Sequence, residues 1–185
     1  MEIDAIKKKV LEDVDPETRR KKKKEMRIQR LIVTLQFLGI AAVVILIFYI
    51  LMGISTVDGN SMYPTLHDKD IVIYNRRCKE YKAGDIVAIA RPSGEEYVKR
   101  VIAVAGDMVN IQDGKVYVNG EEVRYDGEIG TTEKKSSKIT YPLRVGDKEV
   151  FVLGDNREVS RDSREIGTVK VSDIEGKIEW YMGRP

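Results

Sequence analysis

The sequence predicts a mostly β fold, an antiparallel β-sheet or barrel-like domain behind a single N-terminal transmembrane helix. Three observations predict it: one long apolar run near the N-terminus, a block of basic residues before that run, and many short strand-like segments after it. We assign residues 1–30 to a basic tail, residues 31–54 to the helix and residues 55–185 to the β domain. In a chain of 185 residues, the part after the helix suffices for one compact domain of ordinary size.

The basic tail carries a charge asymmetry that the formal net charge of +2 conceals. Eleven basic residues precede the apolar run: Lys7, Lys8, Lys9, Arg19, Arg20, Lys21, Lys22, Lys23, Lys24, Arg27 and Arg30. Such a block is open to a nucleic-acid interpretation, but it has no interleaved aromatic residues and directly adjoins a hydrophobic segment. We therefore expect the charge to set membrane topology, and we expect no nucleic-acid partner.

The apolar run is long enough to cross a bilayer. Residues 37–54 read FLGIAAVVILIFYILMGI without a charge. Extension back to Leu31 gives roughly 36 Å of helix against a hydrocarbon core of about 30 Å. Basic residues crowd the N-terminal flank, whereas Lys69 is the only one among residues 53–72. The positive-inside rule therefore places the N-terminus in the cytoplasm and the β domain outside the cell membrane.

A cleavable signal peptide is the alternative interpretation of this run. Gly53, Ile54 and Ser55 form a small-x-small pattern, after which a mature chain would begin at Thr56. The apolar part of a signal peptide is typically about 7–15 residues with a short basic flank, and both parts are much longer here. We expect a retained anchor.

After the apolar run the pattern changes to short segments rich in Val, Ile and Tyr and separated by Gly, Asp and Asn. The predicted strands are residues 71–74, 85–90, 97–105, 108–112, 115–119, 150–153, 168–171 and 177–181. Asp113-Gly114 and Asn119-Gly120 are dipeptides typical of tight hairpins. Residues 121–149 are charged and rich in turn formers, so we expect an exposed loop or hairpin there.

Ser61 lies in the turn GNSMYPTL (residues 59–66), bounded by Gly and Pro, and is a candidate nucleophile. A serine hydroxyl needs a neighbouring base to take its proton. His67 is the only histidine and follows Ser61 by six residues on the same local segment, which makes a Ser-His-Asp arrangement improbable. A lysine is the main alternative base. The single cysteine, Cys78, offers neither an intramolecular disulfide nor a metal site.

Lys99 is the candidate base because it lies within the apolar segment YVKRVIAVA (residues 97–105). Strand alternation puts Lys99 and Arg100 on opposite faces, and the pattern leaves open which of them faces the site. Arginine does not give up its proton in a protein, whereas burial among apolar groups lowers the pKa of a lysine. The competing interpretation is a lysine that reaches the surface from a strand edge.

A third polar cluster, GDNREVSRDSREIG (residues 154–167), directly follows the apolar segment 150–153. It is dense in short hydrogen-bonding side chains and includes Ser160, Asp162 and Arg164. By itself it is equally compatible with a solvated turn that contains an Asp162–Arg164 pair.

Together these segments resemble the bacterial type I signal peptidases, membrane-anchored Ser-Lys proteases that remove signal peptides from exported proteins. Residues 59–66 resemble the nucleophile box of that family, GDIV (84–87) the strand box after it, and YVKRVIAVAGD (97–107) the lysine box. GDN (154–156) resembles the start of the family's last box, which continues here with Ser160, Asp162, Ser163, Arg164 and Gly167. The single anchor and Gly59, in place of a hydroxyl residue, resemble the Gram-positive branch.

The resemblance implies roles for individual residues. Ser61 is expected to be the nucleophile and Lys99 the general base, while Ser160 would hydrogen-bond and orient the Lys99 amine. Asp162 and Arg164 would form a supporting ion pair. Met62 and Tyr63 are expected to contribute to substrate pockets for small residues. The resemblance implies no metal or cofactor, and its expected partners are exported preproteins and the lipid bilayer.

Two other functions remain open at this point. One is a self-cleaving Ser-Lys protease, which would carry a DNA-binding module where this chain has an apolar run. The other is a non-catalytic anchored β module that binds envelope partners, with Ser61 and Lys99 in structural roles. Incubation with a preprotein separates them, because a binding module leaves the preprotein intact.

Overall fold

The computed structural model describes residues 2–14, 16–90 and 96–183. The chain forms two compact units, Met1–Phe48 and Tyr49–Pro185. The first unit is helical and the second is built of β-strands. The predicted mostly β, antiparallel fold behind one apolar helix is confirmed.

Two helices make up the N-terminal part of the chain: α1 (Glu2–Val14) and α2 (Pro16–Leu51). Proline suits the first position of α2 because its missing N–H has no intrahelical partner there. Within the part of the chain that the structure describes, α2 is the one helix long and apolar enough to cross a membrane. This fits a single anchor.

Helix α2 ends at Leu51, three residues before the predicted end at Ile54. Met52–Thr56 instead form strand β1, which pairs with the strand that begins at Ile71. The predicted span is therefore too long at its C-terminal end. Gly53 is required in β1, because a Cβ there would lie 2.2 Å from the ring of Tyr74. Backbone pairing and close packing thus convert apolar residues that continue the helical pattern into a strand.

The larger sheet contains β1 and six further strands: β2 (Ile71–Asn75), β3 (Ile86–Ala90), β4 (Glu96–Val104), β9 (Glu149–Leu153), β10 (Val169–Lys170) and β11 (Ile174–Met182). Their order in the sheet is β1-β2-β11-β3-β4-β9-β10, and all neighbours run antiparallel. A short helix, α3 (Ser163–Ile166), precedes β10, and a 3-10 turn (Val171–Asp173) follows it. Strand β4 lies between β3 and β9 and thereby carries Lys99 into the middle of the sheet.

The smaller sheet has the order β7-β6-β5-β8. Its strands are β5 (Met108–Gln112), β6 (Lys115–Val118), β7 (Glu121–Glu122) and β8 (Leu143–Arg144). Both predicted hairpin turns are present, and all four of their residues have positive φ, between 51° and 89°. Such turns match the twist of the paired strands. The region 121–149 is mostly irregular as predicted, although it also contributes the very short strands β7 and β8.

The outer face of β1, β2 and β11 carries an apolar surface. Val72 and Tyr74 point into the core, so Ile71 and Ile73 face outward. Ile54, Ile73 and Trp180 lie in register across the three strands, and Met182 pairs with Ile71. Trp180 lies on the surface with 63% of its area exposed.

Candidate active site

The turn that carries Ser61 opens from β1 into a cleft of about 440 Å³. Gly59 adopts a φ of 81°, which favours glycine, and its N–H donates to Asp68 Oδ1 at 2.7 Å. The turn closes when Tyr63 N–H donates to the carbonyl of Asn60 at 3.2 Å. The cleft is lined by residues 56–61, residues 96–99 of β4, and Asn156, Val159 and Arg161. Ser61 is partly exposed in this wall.

Lys99 is buried and lies beside Ser61. Only 3% of its area is exposed, and its Nζ donates to Ser61 Oγ at 2.8 Å and to the carbonyl of Val98 at 2.8 Å. The amine also lies 5.2 Å from the ring centroid of Tyr97. Lys99 therefore does not reach the surface from a strand edge. Of the two neighbouring cations, it is the one that meets the candidate nucleophile.

Arg100 points the other way and pairs with Asp155, which follows β9. Arg100 Nε donates to Asp155 Oδ1 at 2.8 Å and Nη2 to Oδ2 at 2.6 Å. Thr65, from the turn of Ser61, donates its hydroxyl to the same carboxylate at 2.5 Å. This bidentate ion pair, together with the Thr65 hydroxyl, connects the turn of Ser61, β4 and the loop after β9. Sequence reasoning did not assign these residues, and the GDN run directly after an apolar strand was the available signal.

The loop after β9 packs directly against Ser61. Asn156 N–H donates to the carbonyl of Ser61 at 3.1 Å. Ser160 is fully buried, and its Oγ would lie only 2.2 Å from a Cβ built on Gly154. The expected hydrogen bond from that hydroxyl to Lys99 is not present, whereas Ser160 does help to hold the pKa of Asp162 low. The Ser160 side chain is oriented by packing against Gly154 rather than by a bond to the amine.

Asp162 and Arg164 form an ion pair in the interior, with both side chains fully buried. Arg164 Nε donates to Asp162 Oδ1 and Nη2 to Oδ2, each at 2.8 Å. Burial acts to raise the pKa of Asp162, but the hydrogen bonds and charge of Arg164 outweigh it and hold that pKa below its usual range. Asp162 also caps α3 and accepts the N–H of Gly154 at 3.1 Å. The solvated turn that the sequence allowed is therefore not what forms.

The two expected substrate-contacting residues do not line the cleft. Met62 is fully buried in the core cluster with Leu66, because the turn folds its apolar side chains back onto the sheet. The Met62 side chain anchors the turn, and its expected contribution to a substrate pocket stays a prediction. Tyr63 is exposed, with its ring edge-on to His67 at a centroid distance of 5.2 Å. A substrate contact by Tyr63 stays a prediction.

Over the part of the chain that the structure describes, no group of three or more His, Cys, Asp or Glu side chains is placed to hold a metal ion. Cys78 is a free thiol whose Sγ contacts the carbonyl of Glu80 at 3.2 Å. The polar side chains that line the cleft beside Ser61 and Lys99 include Asp58, Asn60, Glu96, Asn156 and Arg161.

Comparison with known proteins places this arrangement in a family. Residues 28–182 match the profile of the signal peptidase family, peptidase S26. The chain belongs to this family. A signal peptidase I from Bacillus amyloliquefaciens is 35% identical over 137 residues, which cover 68% of this chain and 73% of the relative. Signal peptidase I S from Bacillus subtilis strain 168 is 35% identical over 140 residues, with coverages of 68% and 74%.

Signal peptidase IB from Staphylococcus aureus is 34% identical over 142 residues, again covering 68% of this chain and 74% of the relative. A crystal structure of a signal peptidase I from Enterococcus faecalis V583 is 30% identical, with a TM-score of 0.45, and the match covers 53% of this chain and 96% of that one. The resemblance found in the sequence is confirmed. As a member of the signal peptidase family the protein is a hydrolase, a serine endopeptidase of the signal peptidase I type.

Proposed function

We propose that the protein is a membrane-bound endopeptidase that removes N-terminal signal peptides from exported preproteins through a Ser61–Lys99 dyad. The observation that carries this proposal is the 2.8 Å contact between Lys99 Nζ and Ser61 Oγ at the wall of a cleft, with the amine buried. Family membership supports signal-peptide removal as the activity, and the geometry supports the choice of nucleophile and base.

The reaction is acyl transfer with one group as both base and acid. Neutral Lys99 accepts the proton of Ser61 Oγ as the oxygen attacks the scissile carbonyl, and the resulting ammonium returns a proton to the leaving amine. Water then attacks the acyl-enzyme, Lys99 accepts its proton, and Ser61 regains a proton when the acid product leaves. The burial of Lys99 supports this role, because desolvation favours the neutral amine over the ammonium. The hydrogen bond between Nζ and Oγ reverses direction when the amine loses its proton.

The remaining predicted site residues have supporting roles in this proposal. The Asp162–Arg164 ion pair shapes the buried loop on which Ser160 lies, and Ser160 packs at Gly154 beside the carbonyl of Ser61. Orientation of the Lys99 amine by Ser160 stays a prediction.

The proposal also covers location and orientation. The apolar part of α2 anchors the protein, the eleven basic residues hold the tail in the cytoplasm, and the β domain lies outside. Ser61 follows Leu51 by ten residues, so the chain limits it to about 35 Å from the end of the helix. A preprotein held by its own apolar helix presents its cleavage site at such a depth. Protease added to wall-stripped cells should digest the β domain and spare the tail, whereas the opposite pattern contradicts this orientation.

Cleavage of a preprotein tests the proposed function. Detergent-solubilised wild-type protein should release a mature product and an intact signal peptide, as identified by mass spectrometry, and Ser61→Ala should release neither. An uncut preprotein that co-purifies with the wild-type protein would instead favour the non-catalytic module. Cleavage of the protein itself with the preprotein left intact would favour a self-cleaving protease.

A further inference from the structure

The segment 128–135, here called the brace segment, contacts residues 154–160, here called the site loop. Ile129 N–H donates to the carbonyl of Asp155 at 2.9 Å, and Arg157 N–H donates back to the carbonyl of Ile129 at 2.9 Å. These bonds form a parallel bridge between Ile129 and Asn156. Asn156 is the residue whose N–H holds the carbonyl of Ser61. The brace segment therefore holds the two neighbours of Asn156, and Asn156 in turn contacts the candidate nucleophile directly.

Arg157 ties the site loop to the brace segment from within. Its side chain is 2% exposed, and it donates from Nη1 to Thr132 Oγ1 at 2.5 Å and from Nη2 to Glu128 Oε2 at 2.6 Å. Its Nε donates to the carbonyl of Gly154 at 3.1 Å. Hydrogen bonds that involve charged groups are the stronger kind. The N-terminal end of the site loop is thus fixed by a buried, charged anchor.

Lys135 ties down the other end of the site loop. Its Nζ donates to the carbonyl of Ser160 at 2.7 Å and to that of Glu158 at 3.2 Å, and the Glu165 carboxylate lies 3.8 Å away. The two neighbouring lysines of this cluster are placed differently. Lys134 lies 5.6 Å from the ring centroid of Tyr141, and Lys138 is exposed. Of these three lysines, Lys135 is the one whose ammonium rests on the site loop.

We propose that Lys135 is a positioning residue for acyl transfer: its ammonium fixes the Ser160 and Glu158 carbonyls and so holds the site loop against Ser61. The inference rests on the proposed function, because it assigns Lys135 to the Ser61–Lys99 reaction. Lys135 does not line the cleft, so it acts on the reacting groups through the loop and not on the substrate. Without it, the N-terminal end of the site loop keeps Arg157, the Asp155–Arg100 ion pair and the bonds to Ile129, whereas the end that carries Ser160 loses the bonds from Lys135 and moves relative to Ser61.

The test compares full-length Lys135→Met with Lys135→Arg and with the matched control Lys138→Met. Rates are measured on one preprotein in detergent, well below the unfolding midpoint of each variant. We expect kcat of Lys135→Met to fall about tenfold, since misplacement by 1 Å costs up to about a hundredfold. KM should change less than kcat does, because Lys135 itself does not line the cleft. Lys135→Arg should recover most of the loss, and Lys138→Met should match the wild type.

An unchanged kcat for Lys135→Met overturns the inference, as does an equal loss of kcat in Lys138→Met or a loss that appears in KM alone. A fall in kcat that Lys135→Arg does not restore also counts against it, because a cation at this position is the stated cause. Ser61→Ala in the same series separates the two levels of the argument. Cleavage by Ser61→Ala refutes the proposed function, whereas an inactive Ser61→Ala beside a fully active Lys135→Met refutes only the role of Lys135.

Discussion

Replacement of Gly154 with alanine places a methyl group between the two segments that form the site. A Cβ at Gly154 would lie 2.2 Å from Ser160 Oγ and 2.4 Å from the carbonyl oxygen of Ser61. Ordinary contact begins at 3.4 Å, so one segment must retreat by roughly 1 Å. A backbone carbonyl and a fully buried side chain cannot swing aside. Such a displacement costs about a hundredfold in rate, or about 2.7 kcal/mol of transition-state stabilisation.

The assay is kcat/KM for preprotein cleavage by the full-length protein. The unfolding midpoint of each variant is measured in parallel. We expect Gly154→Ala to lose about a hundredfold in kcat/KM, with overpacking lowering the free energy of unfolding by about 1–3 kcal/mol. Gly146→Ala is a matched control, because its added Cβ would first meet Glu149 Oε2 at 2.8 Å, the far end of a side chain outside the site rather than a backbone atom. A folded Gly154→Ala protein within about threefold of the wild type would refute the packing argument.

Three further predictions concern protonation and the bilayer. The kcat/KM of the enzyme should rise with pH as Lys99 loses its proton, and His67→Ala should keep that rise; its loss in His67→Ala would identify His67 as the proton acceptor. Because Arg164 holds the pKa of Asp162 below its usual range, the stability contributed by that carboxylate is complete above about pH 4, the ordinary aspartate range, and is lost as the pH falls through the lowered pKa. The difference in unfolding midpoint between wild type and Asp162→Asn should therefore narrow over that range, and a constant difference contradicts the assigned charge. Trp180 is the only tryptophan and lies on the apolar outer face of β11, which we expect to touch the bilayer. Lipids brominated in their acyl chains should therefore quench the fluorescence of the vesicle-inserted protein, and unquenched fluorescence would contradict that contact.

The strands that the sequence predicted well are those with local signals. Residues 108–112 and their hairpin turns follow from alternation and from Asp-Gly and Asn-Gly dipeptides, which act within a few residues. Strand β1 was missed because Met52 and Ile54 continue the apolar pattern of the helix. Their pairing with residues 71–75 is a contact with a distant segment, which the pattern of neighbouring residues does not reveal. The two-residue strands β7 and β8 are too short to show a period.

In the candidate site, too, local signals predict some features, and other features depend on contacts between distant segments. Ser61 and Lys99 could be proposed from the sequence because a serine hydroxyl needs a base, the single histidine follows Ser61 too closely, and Lys99 lies in an apolar segment. The resemblance to signal peptidases supported both. The sequence could not tell which of Lys99 and Arg100 faces Ser61, since this depends on how β4 pairs with β3 and β9. The burial of Met62 likewise follows from how the turn folds back onto the sheet. Arg157 and Lys135 make contacts with residues about 25–30 positions away in sequence, and residue type alone gave no reason to prefer them over the other lysines and arginines of the chain.

The most direct test of the dyad is the rate of preprotein cleavage by Ser61→Ala, Lys99→Ala and the double variant, at equal amounts of folded, membrane-inserted protein. Each single substitution should remove nearly all cleavage, and the double variant should be little worse than either, because the two groups act as one catalytic unit. Substantial cleavage by Lys99→Ala would contradict the assignment of Lys99 as the base, and losses that multiply in the double variant would contradict a shared step.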